Sequence, residues 1–183
     1  VFEGGVEEAI GVYMSNHKTA SVFEDYSDYV RPRWMQSQLI KLLSAELIDK
    51  EEVRFSSKEP ILLRLKWKNL ADVKDVGLRI EIWNLEDVPQ ATYPVYSFYS
   101  GKKDQIVDLQ LKLDVSLFMD AEYQMVYTFF YKDEFGNNQD IENVHGIRFE
   151  KSTADSEQKW IWRAKYWGYI QMPSPEIIGL TEC

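Results

Sequence analysis

The stretch GLRIEIWN, residues 77–84, sets Arg79, Glu81 and Trp83 at every second position. Period-two spacing puts these three side chains on one face of a strand, with Leu78, Ile80 and Ile82 on the other. The stretch EYQMVYTFFYK, residues 122–132, offers a second such face: with Tyr123 and Met125 inward, Gln124, Thr128 and Phe130 share a surface. In IENVHGIRFE, residues 141–150, Arg148 alternates with Ile147 and Phe149, and Tyr96 adds a ring in ATYPVYSFYS, residues 91–100. Flat aromatic rings beside guanidinium, carboxylate, amide and hydroxyl groups suit sugars. The C–H face of a pyranose stacks on a ring, and the polar groups hydrogen-bond its hydroxyls. Trp83, Tyr96 and Phe130 are therefore the expected stacking rings, and Arg79, Glu81, Gln124, Thr128 and Arg148 the expected hydrogen-bonding groups. The competing reading packs Trp83 under a loop or against the C-terminal segment.

Other chemistry lacks its residues. There is no G-x-x-x-x-G-K-[ST] loop for nucleotide phosphates and no G-x-S-x-G elbow for a serine nucleophile. Cys183, the single cysteine, ends the chain and forms no internal disulfide, which fits a cytosolic protein. His17 and His145 have no Cys or His at metal-ligand spacing, so no metal and no cofactor are expected. Paired carboxylates serve glycoside hydrolysis, but 30 acidic residues make accidental pairs common and none stands in a recognisable context. No catalytic residue is assigned. A net charge of −9 argues against nucleic acid, whose phosphates demand a basic surface, and tilts the expected ligand towards an uncharged polymer such as a rhamnan.

The elements that must carry these faces read as strands. ILLRLKWK (61–68) alternates Ile61, Leu63, Leu65 and Trp67 against Leu62, Arg64, Lys66 and Lys68. Strand patterns also fall at 52–57, 77–84, 91–100, 105–113, 122–132 and 141–150, with turn chemistry in NLADVKD, SGKKD and DEFGNN. SQLIKLLSAELI (37–48) is apolar and fits a strand or a helix. About eight short strands without helical periodicity imply an all-β, immunoglobulin-like antiparallel sandwich. A chain of 183 residues buries roughly 70% of its unfolded surface and needs no disulfide to fold. No apolar run reaches the roughly 20 residues of a membrane-spanning helix.

Ahead of the strands, Val6, Ala9, Ile10, Tyr13 and Met14 follow helical spacing, with Glu7 and Glu8 in the first turn. The polar run HKTASVFEDYSDYVRPR then reads as a tether or a surface-hugging arm. The resulting division is a helix at 1–16, a tether at 17–36, the sandwich at 37–173 and a tail at 174–183. The chain begins with Val1 rather than Met and is expected to be part of something longer.

Several motifs in order resemble a known family. They are Phe2, Gly4, Glu7, Glu8, Ala9, Ile10 and Tyr13, then LIKLLSAELIDKE and VRFSSKEPILLRLKWK, then EYQMVYTFFYKDEFGNNQDIENVHGIRFE and GYIQMP. Together they look like the C-terminal domain of the ATP-binding subunit of polysaccharide-exporting ABC transporters, the Wzt-type O-antigen, teichoic acid and rhamnan exporters. The resemblance implies that the helix closes a nucleotide-binding domain absent from this chain. It also implies that the sandwich is a non-catalytic module binding the glycan to be exported. Implied with it are a cytoplasmic place at the inner face of the plasma membrane, a membrane-spanning transporter partner, and a homodimer that in some members exchanges the last strand, here 159–172. Lys58 stands where the family's F-x-S-G-E-P turn usually has Gly. Ala121 stands where L-x-x-G-x-Y, a tyrosine-corner-like turn, usually has Gly, so that turn must avoid positive φ or bear a cost. The resemblance transfers no ligand residues; those above rest on strand register. The alternatives are a protein-interaction or dimerisation sandwich, in which the Trp-rich segment serves an interface, and a glycan hydrolase. KSTADSEQ (151–158) is a polar hinge that suits either exchange of the last strand or an ordinary loop into an intramolecular one.

Overall fold

The computed structural model describes residues 21–31, 38–154 and 162–174, without the side chain of Lys165. The amphipathic pattern at 6–14 lies outside the described residues. The strands are β1 (Phe23–Asp25), β2 (Ile40–Leu47), β3 (Arg54–Phe55), β4 (Ile61–Asn69), β5 (Val73–Asn84), β6 (Pro89–Gly101), β7 (Ile106–Leu113), β8 (Ala121–Lys132) and β9 (Asn138–Lys151). They form two sheets, β1-β2-β4-β7 and β3-β9-β8-β5-β6. Among the described residues every neighbouring strand pair but β3–β9 runs antiparallel. The chain is a β-sandwich, and residues 40–47 settle as a strand rather than a helix.

Alternation decides which side chains enter the core. Ile61, Leu63, Leu65 and Trp67 of β4 are fully buried, as are Leu78, Ile80 and Ile82 of β5 and Tyr123, Met125, Tyr127 and Phe129 of β8. Trp67 joins the sheets, its ring centroid 5.1 Å from Phe129 and 5.3 Å from Tyr99. Removing such a buried indole costs about 3–5 kcal/mol in comparable cores.

The expected tether at 17–36 is corrected over its described part. Residues 23–25 pair with 44–46 as an edge strand, and Tyr26 is buried. Arg31 then closes the end of the sandwich. Its guanidinium donates to the carbonyls of Tyr26, Tyr29 and Leu42 at 2.7–2.8 Å and to the buried Glu142 carboxylate at 2.6 Å. The polar composition that suggested a tether comes from side chains facing water on a strand, with one arginine turned inward.

The turn before β8 is a tyrosine corner without the glycine. The Tyr123 hydroxyl donates to Met119 O at 2.9 Å and lies 3.2 Å from Tyr169 O. Ala121 is absent from the positive-φ residues, so the feared backbone cost does not arise. Burial pushes the Tyr123 phenol well above its ordinary value. In the C-terminal segment, helix α1 (Ala164–Trp167) is a single turn. Residues 169–171 then run beside 117–119 of the same chain, with Met119 N–H donating to Tyr169 O and Gln171 N–H to Leu117 O.

Candidate binding face

The outer face of the five-stranded sheet is a grid set by register. Trp83, Gln124 and Arg148 form one row across β5, β8 and β9; Glu81, Val126 and His145 form the next. Arg79, Thr128 and Asn143 follow, then Gly77, Phe130 and Asp140. Residues two apart on a strand are about 6.8 Å apart, so the four rows extend about 20 Å. Six of the eight residues expected from sequence to share a surface lie within these rows of β5 and β8, Arg148 closes the first row, and Tyr96 joins them through a bulge in β6.

That bulge has a backbone cause. Between the pairs Val76↔Tyr99 and Leu78↔Val95, β6 carries three residues where β5 carries one, and Ser97 sits at φ 45°. The extra residues turn Tyr96 outward, 63% exposed, with its ring edge-on to Phe130 at 6.0 Å.

Arg79, Glu81 and Trp83 form one bonded unit. Arg79 Nε donates to Glu81 Oε1 at 2.5 Å, and Trp83 Nε1 donates to Glu81 Oε2 at 2.9 Å. Arg79 also reaches Asp140 Oδ2 at 3.2 Å and lies 5.8 Å from the centre of the Phe130 ring. Partial burial opposes the arginine charge, but the Glu81 and Asp140 carboxylates outweigh it and hold the guanidinium above its ordinary pKa. Both Glu81 oxygens are thus engaged, and the indole is held by its N–H with its ring edge-on to His145 at 6.2 Å. Trp83 lies on the outer face and is half-buried rather than enclosed among the described residues.

Two of the expected groups are not open. Phe130 is 3% exposed and Thr128 0%. The tip of the Phe130 ring sits over Gly77, where an added Cβ would fall 2.4 Å from it. Thr128 accepts a hydrogen bond from Asn143 Nδ2 at 2.7 Å. Both are therefore floor rather than contact surface, covered by Arg79, Tyr96 and Asn143. Gln124 makes a long bond of 3.4 Å from its amide to Gly146 O.

Sequence reasoning missed Asp140, Asn143 and His145. Strict alternation back from Arg148 would turn His145 and Asn143 inward. Two bulges reset the parity: Gly146 and Ile147 oppose Met125 alone, and Ile141 is extra between Asp140 and Glu142. Gly146 was the available signal, since a glycine inside a strand often marks a bulge or a close approach. Here a Cβ would fall 2.3 Å from the Tyr127 ring. Among the described residues no cluster of His, Cys, Asp and Glu is arranged to hold a metal.

No family model matches the sequence, and no curated protein matches it. Among solved structures, the chain is similar to one described as the crystal structure of the C-terminal domain of Wzt. The TM-score is 0.57 at 16% identity, over 84% of this chain and 95% of that one. The likeness rests on architecture rather than on shared side chains: this chain has the fold of the Wzt C-terminal domain.

Proposed function

We propose that the outer face of the five-stranded sheet is a non-catalytic binding face for a cell-surface polysaccharide, carried by the ATP-binding subunit of an ABC exporter. The observation that carries this reading is the Arg79–Glu81–Trp83 unit, a ring locked by hydrogen bonds among polar groups on an open sheet. A preorganised ring loses little freedom on stacking, which is what a weak, extended ligand requires. Trp83 and Tyr96 stack on sugar rings; Arg79, Glu81, Gln124 and Arg148 hydrogen-bond hydroxyls; Phe130 and Thr128 support them from below. The likeness to the Wzt domain and the motif order from Phe2 to Pro173 support the export setting. That setting places the domain in the cytoplasm at the inner face of the plasma membrane, joined through an ATPase domain to a membrane-spanning subunit. Calorimetric titration of the chain with bacterial surface polysaccharides, against the Trp83→Ala variant, tests it. Binding that survives unchanged in a folded Trp83→Ala chain contradicts the assignment of this face.

A second reading, self-association through the C-terminal segment, is favoured by the exposed side chains of Leu117, Tyr166, Trp167 and Met172 around residues 169–171. Light scattering on the whole chain and on one ending at Lys151 separates the two: a dimer that persists without residues 152–183 removes that segment as the interface.

A further inference from the structure

The charges on the outer face are matched to one another. The cations Arg54, Arg79, Lys132 and Arg148 share it with the carboxylates Glu81, Glu122, Asp140 and Glu150. Arg54 Nη2 lies 2.7 Å from Glu150 Oε1 at one end. At the centre, Arg79 bridges Glu81 and Asp140 with side-chain exposures of only 27%, 15% and 30%. A guanidinium between two carboxylates leaves a local charge of minus one. A ligand carboxylate or phosphate approaching Arg79 must therefore pass two fixed negative groups at close range, where water screens poorly. A hydroxyl meets no such barrier, and it can both donate to the carboxylates and accept from the arginine N–H groups not spent on them.

On the reading that this face binds polysaccharide, we infer that its ligand is an uncharged glycan, and that Glu81 and Asp140 are specificity residues that exclude acidic polymers by holding Arg79. Charged groups across an interface commonly reject wrong partners in this way, through the repulsive element rather than the attractive one. The chain's net charge of −9 acts in the same direction at longer range. Recognition that depends on stacking and hydroxyl contacts is insensitive to salt, whereas capture of a polyanion weakens steeply as salt rises.

The test is an array of uncharged polysaccharides, including mannans and rhamnans, printed beside acidic ones, including polygalacturonate and hyaluronan. It is probed with the whole chain and with the Asp140→Asn and Glu81→Gln/Asp140→Asn variants, each first shown to be folded by circular dichroism. The expected result is binding of the parent chain to one or more uncharged polymers at least about tenfold over every acidic one, changing less than about twofold with added salt. The double variant should gain acidic binding by about tenfold or more, with Asp140→Asn intermediate and the gain abolished by salt. Equal or tighter binding of the parent chain to an acidic polymer overturns the inference and leaves the polysaccharide reading standing. A folded double variant that gains no acidic binding overturns the role given to Glu81 and Asp140. No binding to any polymer on the array removes both.

Discussion

The guanidinium of Arg31 and the carboxylate of Glu142 meet 2.6 Å apart at the end of the sandwich, 111 positions apart in sequence. Glu142 is wholly buried and also accepts from the Leu42 N–H at 3.0 Å and from the Gln38 amide at 2.9 Å. Arg31 therefore fixes the arm that carries β1 onto both sheets, through β2 on one side and β9 on the other. Replacing it by Ala strands a buried carboxylate, and the expected loss is about 3–5 kcal/mol in urea unfolding. The double variant Arg31→Met/Glu142→Leu should lose less than Arg31→Ala alone, because it removes the uncompensated charge with its partner. A double variant less stable than Arg31→Ala would contradict that account.

Tyr123→Phe removes one hydroxyl and leaves the Met119 and Tyr169 carbonyls without it. The expected cost is about 1–3 kcal/mol, the range for a buried hydrogen bond lost from one side. Because Tyr169 belongs to the C-terminal segment, hydrogen exchange should quicken at Met119 and Gln171, whose N–H groups bond across that junction. Exchange unchanged at both positions would show that the segment is held by other contacts.

Gly77→Ala puts a methyl where the Phe130 ring lies, within 2.4–2.8 Å of three ring carbons. Phe130 has to tilt up towards Tyr96 and Arg79. Overpacking of this kind costs about 1–3 kcal/mol, and ring-current shifts at Tyr96 should report the displacement. A variant as stable as the parent, with Tyr96 resonances unmoved, would refute the close seating of that ring on Gly77.

Stability should hold across neutral pH and fall at both ends. Asp72 is held below its ordinary value of 3.8 by the Lys102 side chain and the Lys103 N–H, Asp104 by Lys68, and Asp114 by the Ser116 N–H. Their folded values are depressed, so the unfolded chain binds more protons as the pH drops. Their contribution is complete above the ordinary carboxylate value and is lost as pH falls through the folded ones. At the alkaline end, burial and then the Asp114 charge push Tyr93 from 10.0 up to about 12. A raised folded value reverses the sign: this contribution is whole below pH 10.0 and is lost as pH rises through about 12. Denaturation midpoints measured against pH check both limbs, and a midpoint that rises between pH 10 and 12 would contradict the second.

The sheet faces were legible where strands alternate without interruption. Burial alternates without a break over 61–69 of β4 and 78–84 of β5, so Trp67 inward and Trp83 outward followed from spacing alone. β9 was not legible past Arg148, because bulges at Gly146 and Ile141 shift parity without changing composition. That shift brought His145 and Asn143 onto the outer face and sent Glu142 inward. Glu142 was the harder case: a carboxylate enters a core only with a partner, and its partner lay in a segment that read as solvent-facing. Phe130 and Thr128 were placed on the correct face but at the wrong depth. Register gives the side of a sheet, whereas depth depends on Tyr96, Arg79 and Asn143 closing over them.

The claim at the centre is that glycan binds the outer face of β9, β8, β5 and β6. Amide and indole NMR shifts of the whole chain, titrated with the surface polysaccharide of its own host, test it most directly. The account predicts shifts centred on the Trp83 indole, Arg79, Tyr96 and His145, and a loss of about 1–3 kcal/mol of affinity in Trp83→Ala, the scale of ring stacking. Silence at millimolar repeat units, or shifts confined to the sheet of β1, β2, β4 and β7, would contradict it.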